Sequence, residues 1–74
     1  MEKELAMMDY DEQGTITEIE KDLRTRVAGM GIRVGKKLRM VTKQPIKGPV
    51  DVIVDGAETS LGLDMAEKIT VDVV

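Results

Sequence analysis

Apolar residues recur along this chain at short and changing intervals, and each change of interval marks an element. Leu5 and Met8, three apart, allow one helical turn within residues 4–11, after which Asp11-Glu12-Gln13-Gly14 turns the chain. Residues 15–20 are rich in β-branched side chains and predict a strand. Strict alternation would send Ile16 and Ile19 to opposite faces, so this strand is either bulged or covered on both sides, as in small curled barrels. Leu23, Val27 and Met30 then repeat at i, i+4, i+7, one stripe of a short helix, with Asp22 placed to cap its first N–H groups. Arg24 and Arg26 project away from that stripe. Gly31 follows the last apolar contact, where a residue of positive φ ends the helix and a β-carbon would cost about 1 kcal/mol. Gly29 is less readily placed, since an interior helical glycine costs about 1 kcal/mol against alanine. Either it lets the helix end approach a strand closely or the helix frays there.

Beyond the helix, Ile32-Arg33-Val34-Gly35 reads as a turn with Gly35 at its permissive position, feeding a strand over residues 36–43. In that strand Leu38, Met40 and Thr42 share one face, and Lys37, Arg39, Val41 and Lys43 the other. Residues 44–49 contain both prolines and predict an exposed loop with Ile46 at its tip. Val50-Asp51-Val52-Ile53-Val54 alternates cleanly into Asp55-Gly56, a strong hairpin signal with Gly56 in the turn, and residues 57–63 return. Asp64 with Glu67 three residues on predicts a capping box for one helical turn, and residues 69–73 a last strand. Five short strands, one short helix and two helical turns are too few for a two-sheet sandwich, so the expected architecture is a small, partly open barrel.

Composition narrows this picture. A chain of 74 residues supports one domain, residues 1–74, and buries only about 60% of the surface its unfolded form exposes. Cysteine is absent, so neither disulfide nor thiolate zinc staples the fold, which suits a reducing cytoplasm. The acidic N-terminal stretch lacks the basic-then-apolar pattern of a signal peptide, and no apolar run is long enough to span a bilayer. A soluble, unexported chain is expected. Tyr10 is the sole aromatic residue, which argues against base-stacking nucleic-acid binders and against readers of proline-rich peptides. Histidine is absent too, removing the commonest general base and metal ligand, so no catalytic role is expected.

Charge is segregated along the chain. Residues 1–22 carry eight acids against two bases, residues 23–50 eight bases and no acid, and residues 51–74 six acids against one base. The central block is either a docking surface for an acidic partner, with Arg24, Arg26, Arg33, Lys36, Lys37 and Arg39 as its patch, or one side of an internally balanced fold. In the second case opposite charges across a ladder contribute only about 0.2–1 kcal/mol a pair. Balance is the expectation for most of the block. Arg24 and Arg26, off the apolar stripe, are the expected exceptions. Acidic pairs such as Asp9 with Asp11, or Glu18 with Glu20, lack the histidine or third ligand of a selective iron site, so no resident metal and no cofactor are expected. Met8, Met30 and Met40 fall on core faces, where methionine fills gaps in a core without Phe or Trp.

Leu5, Met8, Gly14, Ile16, Ile19, Leu23-Arg24 with Arg26, Met30-Gly31-Ile32 with Gly35, Pro45, Gly48-Pro49, Asp55-Gly56, Leu61, Ala66 and Ile69 follow one another in an order and spacing that resembles the FeoA family. The resemblance covers residues 4–73 and is most specific at LRTRVAGMGIRVG, which is similar to the family's leucine, arginine-rich, leucine, then L/M-G-I/L-x-P-G pattern. Asp11 stands where the family usually has Gly, Val34 where the turn usually has Pro, and Gly62 where an Arg commonly follows the leucine. The usual Asp between Gly48 and Pro49 is missing.

The resemblance implies an SH3-like barrel and a non-enzymatic accessory role in ferrous iron uptake, with docking on the cytosolic part of the FeoB-type membrane transporter. The membrane is then reached only through that partner. Homologous barrels also form the C-terminal domain of iron-dependent repressors. The residues expected to carry the contact are Arg24, Arg26, Met30, Arg33, Lys36 and Ile46, with the chain a monomer in isolation. The rival reading is a small nucleic-acid or ribonucleoprotein-binding SH3-like module, which the negative net charge and missing aromatics oppose.

Overall fold

In the computed structural model, residues 1–43 and 48–74 are described, Lys43 through its backbone alone. Ile46 and most of the expected loop over residues 44–49 lie outside the described residues. Strands β1 (Glu2–Glu4), β2 (Gln13–Ile19), β3 (Lys37–Lys43), β4 (Val50–Val54), β5 (Ala57–Leu61) and β6 (Ile69–Val73) form one antiparallel sheet in the order β1-β6-β2-β3-β4-β5. A 3₁₀ turn, Leu5–Met7, follows β1; helix α1 (Arg24–Ala28) lies between β2 and β3, and helix α2 (Leu63–Ala66) between β5 and β6.

The sheet is curled. Six strands laid flat at the usual spacing of about 4.8 Å would make a layer roughly 24 Å wide and one sheet deep, whereas the molecule measures 28 × 23 × 22 Å. Its concave side holds a single apolar cluster to which every strand except β1 contributes, together with the 3₁₀ turn, α1 and α2. No polar or charged side chain is buried among the described residues. Burial alternates strictly in β4 and β6, where Val50, Val52, Val54, Ile69, Val71 and Val73 point inward.

Alternation is broken elsewhere by two bulges. In β2 the register against β6 shifts between Ile16 and Glu18, so that Thr17 is an extra residue and both Ile16 and Ile19 are buried. Thr17 Oγ1 donates to the carbonyl of Thr70 at 3.4 Å across the bulge. Of the two explanations open for the Ile16–Ile19 spacing, the bulge is the one the chain uses. In β3 the register against β4 shifts between Met40 and Thr42, which leaves Thr42 exposed rather than inward with Leu38 and Met40.

The strand count exceeds the sequence expectation by one. Glu2–Glu4 pairs with β6, Lys3 opposite Val71, although its residues are too polar and too few to show a pattern. Gly14 is not part of a turn but a buried position in β2, where a β-carbon would stand 2.5 Å from Val71 Cγ1 and 2.6 Å from the carbonyl oxygen of Asp72. The turn falls earlier, at Asp11, whose φ of 67° is the left-handed conformation that a glycine would adopt without cost and an aspartate tolerates. At the β4–β5 hairpin Asp55 and Gly56 have φ of 53° and 79°, both positive, as a type I′ turn requires.

Candidate partner-docking site

The site is built where β2 parts from β3. These strands pair only through Gln13, Gly14 and Thr15. The last links belong to the segment entering β3: the Gly35 N–H donates to the Ile16 carbonyl at 2.8 Å, and the Ile16 N–H to the Lys36 carbonyl at 2.9 Å. Gly35 takes φ of 94° to make this approach. Beyond Ile16 no strand among the described residues pairs with the side of β2 away from β6, and α1 with its following loop lines that side instead.

Helix α1 starts and stops by different means. Asp22 does not cap it: Leu23 occupies the N-cap position with helical angles, φ −95° and ψ −19°, and no side chain caps the first turn. The chain arrives through a turn in which the Leu23 N–H donates to Glu20 O, so the extended backbone that would aim an Asp22 carboxylate at the helix N–H groups is missing. Asp22 lies instead 3.7 Å from Lys68 Nζ. At the other end Gly31, with φ of 82°, completes a Schellman closure: Ile32 N–H donates to Val27 O at 3.1 Å and Gly31 N–H to Ala28 O at 3.0 Å. That closure folds Ile32 into the core with no exposed surface. Gly29 is exposed, with a β-carbon position 3.7 Å from its nearest neighbour, so no close strand approach accounts for it.

Between the uncovered edge of β2 and this crossover lies a groove of about 480 Å³. Half-buried Ala28 and exposed Val34 give it apolar surface over a floor of buried Ile19 and Ile32; Glu18, Arg24 and Arg33 supply its charged groups. Arg24 is held in place because its Nε donates to the Ile19 carbonyl at 3.0 Å, an edge acceptor that no neighbouring strand reaches.

The basic block thus divides. Lys36 pairs with Asp55 at 2.8 Å and Arg39 with Asp11 at 2.8 Å, both as exposed pairs, so these two cations serve internal balance. Arg24, Arg26 and Arg33 make no ion pair among the described residues, and Lys37 likewise makes none. Arg24 and Arg33 meet at the groove, while Arg26 is exposed in the last turn of α1. Met30 is half-buried and packs against the core cluster. Sequence reasoning did not single out Ile32, Val34 or the end of β2 as members of a site; an apolar valine in a charged turn was the one available signal. No group of three or more metal-ligating side chains occurs among the described residues, and none of their helices is long and apolar enough to cross a membrane.

Comparison with known proteins agrees with this geometry. The family model described as the FeoA domain matches residues 3–73. No curated protein sequence matches the chain. Among solved structures, an iron uptake regulatory protein (FeoA) is similar over the whole of both chains at 22% identity and a TM-score of 0.92. A zinc-complexed FeoA of Stenotrophomonas maltophilia, described as a procaryotic SH3 domain protein, is similar at 22% identity and a TM-score of 0.76, covering 92% of this chain and 87% of that one. A manganese-dependent transcriptional repressor is similar at 24% identity and a TM-score of 0.90, where 99% of this chain spans 42% of that one. These likenesses establish a shared SH3-like fold.

Proposed function

The chain belongs to the FeoA domain family, which ties it to ferrous iron transport, and from that premise we propose that it is a non-enzymatic accessory protein docking on the cytosolic part of the FeoB-type transporter. The observation that carries this reading is the split of the basic block: where Lys36 and Arg39 are matched by the protein's own carboxylates, Arg24, Arg26 and Arg33 are not. Unmatched guanidinium groups beside an apolar groove suit a protein surface that carries carboxylates. The Stenotrophomonas maltophilia protein has been put forward as a ferrous iron transport activating factor, which is consistent with such a role. In this reading the protein works in the cytoplasm as a monomer, reaches the membrane only through the transporter, and modulates uptake by contact. The nucleic-acid alternative gains nothing from the groove, because Tyr10, the sole aromatic residue of the chain, is not among the residues that line it and no stacking platform stands there.

The test is calorimetric binding of the protein to the soluble cytosolic domain of the transporter. Arg26→Glu with Arg33→Glu should weaken binding by roughly tenfold or more, on the scale of about 1.4 kcal/mol per decade, while the thermal melt stays unchanged because both side chains are exposed. Equal affinity of the double variant would remove these arginines from the interface, and no binding by the wild-type protein would overturn the reading itself.

A further inference from the structure

We propose that β1 is a strap: it opens and closes over the edge of β6 as a unit of its own, while the barrel beneath stays folded, with the Lys3–Glu12 pair as its latch. This inference does not depend on the docking reading above.

The strap brings no apolar side chain to the fold. Glu2 and Glu4 are exposed, Lys3 is half-buried, and none of the three belongs to the core cluster. The anchor comes directly after it, because Leu5, Ala6 and Met8 are buried and hold the 3₁₀ turn against the core. Glu4, with extended angles, is therefore the hinge. Residues on its N-terminal side can leave the sheet without taking any apolar side chain out of the core, and the chain entropy they regain opposes the few backbone bonds they lose. Segments with few buried apolar contacts are the ones that open well below the free energy of global unfolding.

What the strap does cover is main chain. The Val73 N–H donates to Met1 O at 2.8 Å, so by antiparallel alternation Lys3 and Val71 form the next bonded pair. Val71 and Val73 thus give their backbone groups to β1 and their side chains to the core. Asp72 between them turns its backbone groups the other way, toward β2, as Val74 does when its N–H reaches Gln13 O at 3.0 Å. One strand therefore carries two alternating sets of amides, one behind the strap and one inside the sheet. An open strap leaves Val71 and Val73 as an unpaired edge, the kind of backbone that a further strand can join, and a closed strap guards it.

Charge sets the balance. Glu2 stands opposite Asp72, a like-charged pair that disfavours closure. The Met1 amine, 2.9 Å from Asp72 Oδ1, offsets this from an exposed position. Lys3 Nζ lies 3.0 Å from Glu12 Oε1, and this second pair is the less exposed of the two. The same oxygen accepts the Asp9 N–H at 2.7 Å, so Glu12 is seated by the turn leading into β2 and meets Lys3 from a fixed position.

The experiment is native-state amide hydrogen exchange of the whole protein, read by NMR at neutral pH, with each rate divided by the intrinsic rate of that amide. Val71 should exchange at least roughly tenfold faster than Asp72, its neighbour in the same strand. Fraying of β6 from its C-terminal end would rank them the other way. Lys3→Glu, which turns the latch into a repulsion, should raise the Val71 rate about tenfold further, and Lys3→Met, which keeps the aliphatic stem and drops the charge, about threefold. Asp72 and Val52 of β4 should keep their wild-type rates in both variants. Equal protection of Val71 and Asp72, or a faster Asp72, would overturn the proposal, because β1 would then open only together with the barrel. A Val71 rate unchanged in both variants, or a rise shared equally by Asp72, would overturn the latch. The wild-type comparison stands whether or not either variant folds.

Discussion

The two ends of the molecule treat charge and hydrogen bonding differently. Around the β3–β4–β5 end, strands pair along their length, and Lys36 and Arg39 find Asp55 and Asp11, residues drawn from the two acidic thirds of the sequence. At the β2–α1 end the sheet stops pairing after Ile16, three arginines go unmatched, and one of them is spent covering a strand carbonyl. Folding thus returns carboxylates to Lys36 and Arg39, while the three arginines where the sheet opens and Lys37 on β3 keep none among the described residues. A basic stretch in sequence says little by itself; the remainder after folding says more.

The contrast can be broken from its most tightly packed point outward. Gly14→Ala places a methyl against Val71 and the Asp72 backbone, so it should cost about 3 kcal/mol or more, or prevent folding, as urea denaturation would show. Gly31→Ala meets open space but must hold φ of 82°; a loss of roughly 1 kcal/mol is expected by the same denaturation. Gly29→Ala acts in the opposite direction. The position has helical angles, φ −64° and ψ −17°, and room for a β-carbon, so a gain of about 0.5–1 kcal/mol and a higher melting temperature should follow. The smallest effect belongs to the matched end: a double-mutant cycle on Lys36 and Asp55, using Lys36→Ala and Asp55→Asn, should give a coupling of about 0.2–1 kcal/mol that fades with added salt, since both side chains are well exposed. A coupling well above that range would mean that the β3–β5 end relies on its ion pairs, and the comparison would need redrawing.

What could be read in advance follows the physics of each element. β4, β6 and the Asp55-Gly56 hairpin were legible because a half-buried strand writes period two into its own residues and a type I′ turn restricts composition at two adjacent positions. β1 was not, because Glu2, Lys3 and Glu4 join the sheet through backbone bonds to β6 that leave no trace in side-chain type. The two capping assignments failed for different reasons. At α1 the N-cap residue is Leu23, with helical and not extended angles; at α2 the extended N-cap backbone is present but belongs to Gly62, which has no side chain, so Asp64 falls inside the first turn. The groove was hidden more thoroughly, since its walls come from β2 and from a loop that follows α1, and nothing local to either segment announces the other. Arg24 and Arg33 were visible as candidates; the division of the basic block into paired and unpaired members required the acids that fold back onto it.

The extra residue in β2 bears on curvature more than on facing. Thr17 is exposed, so exchanging it for another polar residue alters little, and deleting it would restore strict alternation with Ile16 and Ile19 both still inward, at the cost of the local bend and twist that a bulge gives its strand. Chain length at this point therefore governs how tightly the sheet rolls, and leaves the choice of inward residues unchanged.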